Sequence, residues 1–248
     1  MLKVCGLTKI FCDKDGRDIA AVKNLSFDAK SGEIVGVLGM NGAGKSTTLR
    51  MLSTILKPSS GTAFLEGLDL YEDSLAVRGS IGFLSGSTGL YKRLTARETM
   101  TYFAELNGMA KAEISQRIDE LVELLSMQEF IERKCEKLST GQKQKVNIGR
   151  TIIHDPSLLI LDEATTGLDV VAKQSIINFV KHMKAPGRVV LYSTHHMDEV
   201  DDLCDRVLIL HKGRLIAQGE TSQVPSQLGC KTLSEVFAKY ADKVGALS

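Results

Sequence analysis

Short apolar runs, each closed by glycine or a polar turn, recur along the chain: IVGVLG over 34–39, TAFLEG over 62–67, IGFLS over 81–85, LLILDE over 158–163, VVLYST over 189–194 and RVLILHKG over 206–213. Their length and their punctuation predict strands. Helical patterns lie between several of them, so strand and helix alternate and a largely parallel sheet is expected. Residues from about 95 to 155 break that rhythm and read as consecutive helices. ARETMTYFAELNGM comes first, and KAEISQRIDELVELLSM follows with Ile114, Ile118, Leu121, Val122 and Leu125 on one helical face. A third helix opens at Ser139 and stops at Asp155-Pro156. This helical lobe, about 86–155, interrupts the α/β core.

Near the start, LKVCGL and AAVKNLSFDA flank the polar loop DKDGRD and read as an antiparallel hairpin outside the parallel sheet. After Gly219, LSEVFAKYADKV places Leu233, Val236, Phe237 and Tyr240 at helical spacing, as a helix docking on the body does. The expected organisation is an α/β domain over 1–220 carrying the inserted lobe, with a helical tail over 221–248. No internal repeat or low-complexity tract is visible.

Chemistry enters with GMNGAGKST, which matches G-x-x-x-x-G-K-[ST] directly between a predicted strand and a predicted helix. Its members are Gly39, Met40, Asn41, Gly42, Ala43, Gly44, Lys45, Ser46 and Thr47. Such a loop turns backbone N–H groups into one concavity, and the following helix adds its positive end, so polyphosphate is held with few charged side chains. Lys45 supplies a point charge to the β- and γ-phosphates, and Ser46 offers a hydroxyl to Mg²⁺. LLILDE ends in Asp162 and Glu163, at the strand edge where parallel α/β sheets bind ligands. Asp162 is placed to hold Mg²⁺ through water, and Glu163 to orient or deprotonate the attacking water. His195 ends another apolar strand and suits contact with the γ-phosphate; the adjacent His196 reads as structural.

A second glycine-bearing helix start sits in LSTGQKQKV. Ser139 is a good N-cap, Gly141 admits a phosphate to the backbone, and the terminus is a second anion site. A domain that already cradles its triphosphate has no use for it, unless it serves a nucleotide held by another copy.

Composition narrows the class. The chain has 248 residues, 43% of them hydrophobic, enough for a full core. Lys+Arg 31 against Asp+Glu 30 excludes the strong positive field of a basic nucleic-acid-binding module. Its five cysteines, Cys5, Cys12, Cys135, Cys204 and Cys230, show neither a CxxC pair nor metal-ligand spacing and read as thiols in a reducing cytosol. MLKVCGLTKIF lacks the apolar core of a signal peptide, and no uncharged apolar run is long enough to span a membrane. If the protein works at a membrane, another chain supplies the spans.

These motifs together resemble the ATP-binding subunit of ATP-binding cassette (ABC) transporters, over about residues 1–220. Phe11 falls where that family stacks an aromatic ring on adenine. GMNGAGKST corresponds to its Walker A loop, LSTGQ to its signature, LLILDE to its Walker B strand, GLD at 167–169 to its D-loop, and His195 to its switch histidine. The resemblance implies a P-loop ATPase with a largely parallel core sheet, a small N-terminal antiparallel sheet and an inserted helical lobe, using ATP and Mg²⁺. It further implies a head-to-tail dimer with a second copy or a homologous ABC subunit, in which Ser139, Gly141 and Gln142 close over the γ-phosphate held by the partner's phosphate loop, by Lys45 where the partner is a second copy. The dimer lies at the cytoplasmic face, beneath a separately encoded permease. FLSGSTGLYKRLTARE, LSTGQKQKVNIGRTIIHDP and LDEATTGLD, with Ala164 where proline is more usual, resemble exporters of the ABC-2 type and their NatA-like sodium-efflux group. The alternatives are export of a drug or other small solute, or a non-transport ABC ATPase of chromosomes, repair or translation. The latter usually carry coiled coils or tandem cassettes, absent here; a P-loop kinase would have no reason for LSTGQ. Three departures stand out. Gly86 replaces a glutamine thought to touch Mg²⁺ and report to the membrane subunit, a role for which Ser85, Ser87 and Thr88 are the nearby substitutes. Met40 replaces a common proline, and Thr140 the signature's first glycine.

Overall fold

The computed structural model describes residues 1–86 and 89–245, the last five of these by backbone alone. Strands β1 (Leu2–Cys12) and β2 (Asp18–Ala29) form the expected antiparallel hairpin, Leu2 opposite Ala29 and Cys12 opposite Asp18. β3 (Ile34–Leu38) leads through the glycine-rich loop into helix α1 (Lys45–Leu52). β4 (Ser60–Leu65), β5 (Leu68–Asp69) and helix α2 (Ser74–Arg78) precede β6 (Ile81–Ser85). Helices α3 (Ala96–Leu106), α4 (Lys111–Leu124) and α5 (Thr140–Ile152) follow, then β7 (Leu158–Asp162), α6 (Val170–His182), β8 (Val189–Ser193) and α7 (Met197–Leu203). β9 (Arg206–His211), β10 (Arg214–Glu220), α8 (Val224–Gln227) and α9 (Leu233–Gly245) complete the described chain.

Two sheets result, one of six strands in the order β10-β9-β3-β8-β7-β6 and one of four in the order β2-β1-β4-β5. In the larger sheet the pairs β9-β3, β3-β8, β8-β7 and β7-β6 are parallel, and only β10 runs antiparallel, against β9. Its central strands β3, β7 and β8 are buried at every residue, as expected when both faces of a parallel sheet are covered. Successive residues still point to opposite faces. Leu159, Leu161, Val190 and Tyr192 join the core under the helices, whereas Leu158, Ile160, Val189 and Leu191 join the core shared with the antiparallel sheet and α1. Each such fully buried side chain contributes about 1.5–3 kcal/mol.

One strand sits elsewhere than the alternation of strands and helices suggests. The run at 62–67 gives β4, and β4 pairs antiparallel with β1, Leu2 opposite Leu65. Its burial agrees with this: Ala63 and Leu65 are buried while Thr62 and Phe64 are partly open. Such alternation fits a sheet with one covered face, not the core of a parallel one.

In the helical region α3 opens on a capping box, with Glu98 N–H donating to Thr95 Oγ1 at 3.1 Å and Thr95 N–H donating to Glu98 Oε2 at 2.8 Å. On α4, Ile114, Ile118, Leu121 and Val122 are the buried stripe. Helices α3 and α5 pack closely at Gly149, where a Cβ atom would lie 3.2 Å from Met100 Sδ. The tail helix α9 buries Leu233 and Val236, and Val236, Phe237 and Tyr240 face Gly39 and Met40 across a small cavity.

Candidate functional site

Strands β3, β6, β7 and β8 all run parallel, so their C-terminal ends bring four loops to one edge of the sheet. The loop after β3 is built from glycines at positive φ: Gly39 at 154°, Gly42 at 77° and Gly44 at 104°. A side chain at two of them would force the backbone to shift. A Cβ at Gly39 would lie 2.5 Å from the Leu210 carbonyl oxygen, and one at Gly44 2.6 Å from that of Ala21. At Gly42 a Cβ would meet nothing within 4 Å, because Gly42 borders an open cavity of about 300 Å³ lined by residues 40–47 and Glu163. Gly44 is the N-cap of α1 and carries no side chain to cap it, so the first N–H groups of the helix face that cavity with its positive dipole end.

Lys45 is buried, and its Nζ donates to the carbonyls of Gly39 at 2.6 Å and Met40 at 3.3 Å. Burial lowers its pKa, while Glu163 and Asp162 act to raise it. The ammonium is thus curled against its own loop, within the field of both strand-end carboxylates.

A second cavity of about 370 Å³ adjoins the first and is lined by Ser46, Arg50, Ser85, Gly86, Asp162, Glu163 and Thr166. Ser46 and Glu163 belong to both cavities. Asp162 is buried, and its Oδ1 finds no hydrogen-bond partner among the described residues; an uncompensated buried carboxylate oxygen is costly unless something positive binds it. Glu163 sits at φ 54°, rare for a residue with a side chain. Its N–H donates to the Ser193 carbonyl at 3.0 Å and its carbonyl accepts from Thr166 N–H at 3.3 Å, which hold the strained turn in place. His195 Nδ1 lies 3.7 Å from Glu163 Oε1, with 47% of the His195 side chain exposed. The two strand ends therefore bring the predicted acid residue and histidine together. His196 instead occupies the N-cap position of α7 without a side-chain cap, and its N–H donates to Thr194 Oγ1 at 3.1 Å.

Other predicted residues lie apart. Ser139 N-caps α5: Gln142 N–H donates to Ser139 Oγ at 3.2 Å, and Ser139 N–H donates to Gln142 Oε1 at 3.0 Å. Ser139, Gly141 and Gln142 line neither cavity. A Cβ at Gly141 would lie 3.0 Å from Ala172 Cβ on α6, so that glycine also has a packing reason. Phe11, 40% exposed on β1, pairs with Ile19 of β2, two residues from the Ala21 carbonyl that abuts Gly44. Lys9 Nζ stands 5.3 Å from its ring centre. Among the described residues the nearest neighbour of a Cβ built at Gly86 is the Glu163 carbonyl oxygen at 3.5 Å, an ordinary contact distance. Of its predicted substitutes, Ser85 lines the second cavity, and Ser87 and Thr88 lie outside the described residues.

Glu199 is the residue that motif reading passes over. Fully buried on α7, it accepts hydrogen bonds from Thr165, Tyr192 and Thr194 and pairs with Lys173. No spacing rule joins those positions, and only their convergence in space identifies it.

A glycine-built phosphate cradle whose lysine faces two strand-end carboxylates defines a P-loop nucleotide-hydrolysing protein. The family model described as "ABC transporter" matches residues 22–166. NatA of Bacillus subtilis (strain 168), an ABC transporter ATP-binding protein, is 37% identical over 96% of this chain and 96% of its own. The linearmycin resistance ATP-binding protein LnrL of the same organism is 36% identical over 87% of this chain and 69% of its own. MetN of Mannheimia succiniciproducens, a methionine import ATP-binding protein, is 37% identical over 90% and 66%. Among solved structures, the ATP-binding subunit of an ABC transporter superposes with a TM-score of 0.85 at 28% identity, over 97% of this chain and 99% of that one. A dimeric post-hydrolysis state of the cassette MJ0796 with ADP and Pi superposes with a TM-score of 0.80 at 27% identity, over 89% and 98%. The chain belongs to the ABC transporter family as an ATP-binding, ATP-hydrolysing subunit. Among the described residues no helix is long and apolar enough to cross a membrane.

Proposed function

We propose that this chain powers an exporter as one half of a head-to-tail dimer of cassettes, docked peripherally on the cytoplasmic face of a separately encoded permease. The cassette comprises about 1–220, with the lobe over 86–155 and a tail over 221–248. The observation that carries this reading is the split site. Lys45, Ser46, Asp162 and Glu163 converge on adjoining cavities, while Ser139, Gly141 and Gln142 present a helix start that lines neither. The dimeric arrangement of the MJ0796 cassette supports a second copy as the missing wall.

In the closed site Lys45 pairs with the β- and γ-phosphates, the N–H groups of 42–47 cradle them, and Phe11 stacks on the adenine. Glu163 orients and deprotonates the attacking water. His195, beside Glu163, holds the γ-phosphate in line with that water. Ser46 and Asp162 fit a Mg²⁺ site: they share one cavity, and Asp162 Oδ1 is buried without a donor among the described residues. When bound there, Mg²⁺ neutralises charge on the phosphates. Ser139 Oγ accepts from Gln142 N–H, which leaves its own proton free for the partner's γ-phosphate.

Export and sodium both follow the resemblance of the sequence to the NatA-like group, and a relative named for Nod factor export, from Neorhizobium galegae, is 36% identical; import, as in the name of MetN, is the reading that a reconstituted permease would separate.

The dimer is tested by mixing two damaged chains, Lys45→Ala and Ser139→Arg, each inactive as a homodimer. In a heterodimer purified on two tags, completion by the partner concentrates both defects in one site and leaves the other whole. Recovered ATPase activity, or nucleotide-dependent clamping on a Glu163→Gln background, is the expected result. Neither signal, with both chains folded, would overturn the reading.

A further inference from the structure

We infer that Glu199 is a positioning residue for ATP hydrolysis, holding His195 against Glu163 through the strand end that precedes it. The inference rests on the reading of His195 as the γ-phosphate contact.

The geometry is specific. Glu199 is fully buried, yet its two carboxylate oxygens have four polar partners. Oε2 accepts from Thr194 Oγ1 at 2.6 Å and from Tyr192 OH at 2.8 Å, both from the end of β8 and its exit. Oε1 accepts from Thr165 Oγ1 at 2.8 Å, two residues past Glu163, and lies 3.0 Å from Lys173 Nζ on α6. Burial by itself would raise the carboxyl's pKa, but the bonds from Thr194, Thr165, Tyr192 and Lys173 outweigh it and hold the group ionised. A buried anion with every partner in place is rigid, whereas one with a partner missing is costly.

That rigidity is delivered to the reacting edge. Thr194 is the residue before His195, and its hydroxyl oxygen also accepts from His196 N–H at 3.1 Å. Both neighbours of the His195 backbone are therefore fixed from Glu199. On the other side, Thr165 anchors the loop that carries the strained Glu163. A single carboxylate thus ties together the two loops whose side chains meet at 3.7 Å. Lys173 extends the tie to the helix following the segment 167–169, where it also bonds Asp198 at 2.9 Å. A water-orienting pair tolerates little displacement, since errors near 1 Å cost about 100-fold in rate.

The test compares Glu199→Gln, Thr194→Val, His195→Ala and the double variant Thr194→Val/His195→Ala in the full-length chain. The readouts are kcat and KM for ATP, with kcat counted per ATP-binding-competent site. Gln keeps the size of Glu199 but loses its charge and one acceptor oxygen. The expected result is a fall in kcat of about 10- to 100-fold for Glu199→Gln, with KM within about twofold. Thr194→Val lowers kcat by a smaller factor, and in the His195→Ala background it adds nothing further. Wild-type kcat in Glu199→Gln overturns the proposal, as does a loss that vanishes once competent sites are counted. So do independent, multiplying effects of Thr194→Val and His195→Ala. If Glu199→Gln does not fold, the Thr194–His195 cycle decides alone. A wild-type rate in His195→Ala by itself identifies failure of the His195 reading, whatever the Glu199 arm shows.

Discussion

The two glycine-bearing helix starts at Gly44 and Ser139 look alike in the sequence and differ in how their free N–H groups are used. At α1 the N-cap is Gly44, with φ 104° and no side-chain cap, and the loop before it bends round an open cavity. At α5 the N-cap is Ser139, and a reciprocal capping box with Gln142 already satisfies one donor at each residue. An uncapped start keeps its donors for a ligand, while a capped start gives the helix its own stability and keeps fewer. In the proposed reading the first holds phosphate by itself, and the second is presented, preformed, to a phosphate held elsewhere. The difference also separates what mutations at each should cost.

The largest effect is expected where the cradle meets its chemistry. Glu163→Gln should lower phosphate release by roughly 10²- to 10⁴-fold, the range for losing a general base, while equilibrium ATP binding is retained and a nucleotide-bound dimer accumulates. Hydrolysis at the wild-type rate would remove Glu163 from the role given to it. Next is Gly44→Ala, which tests the uncapped start directly. Its Cβ would meet the Ala21 carbonyl at 2.6 Å at a φ that favours glycine, so the loop must distort, at about 1–3 kcal/mol. ATP affinity by titration should fall about tenfold or more, and unchanged affinity would show that the backbone cradle does not hold the phosphates.

Ser139→Ala should behave oppositely. Loss of the cap costs about 1 kcal/mol of stability in a urea melt, with the ATP affinity of the single chain unchanged. A fall in that affinity would mean that the second start serves its own chain's nucleotide, and the contrast between the two starts would collapse.

The smallest effect concerns acid. Glu199 has a folded-state pKa held below its ordinary 4.5, so its contribution to stability is present above that value and is lost as pH falls through the folded one. Urea melts of the wild type should therefore lose stability faster than those of Glu199→Gln as pH drops from about 4.5. Parallel curves would show that the buried carboxylate is not ionised in the fold.

Much of the fold and the site was legible because the responsible forces are local. The phosphate loop needs glycines at fixed offsets between a strand and a helix, and both are visible in GMNGAGKST. The six strand runs were all found, yet the one at 62–67 pairs with β1 in the antiparallel sheet, which a run of six residues does not declare. Gly141 read as a site for phosphate approach also faces Ala172 on α6, a contact between residues 31 positions apart that only packing reveals.

By itself the sequence determined the strand and helix periods, the turn at 39–44, the Ser139 cap and the carboxylates at the end of β7, since each depends on backbone preferences within a few residues. Only the tertiary structure decided the sheet order that brings Glu163 and His195 to 3.7 Å. It likewise decided the placing of Val236 and Phe237 against Gly39 and Met40, and the convergence of Thr165, Lys173, Tyr192 and Thr194 on Glu199. The physical reason is that these contacts join residues distant in the chain, and which of them meet is set by how strands pair and helices pack rather than by any local propensity.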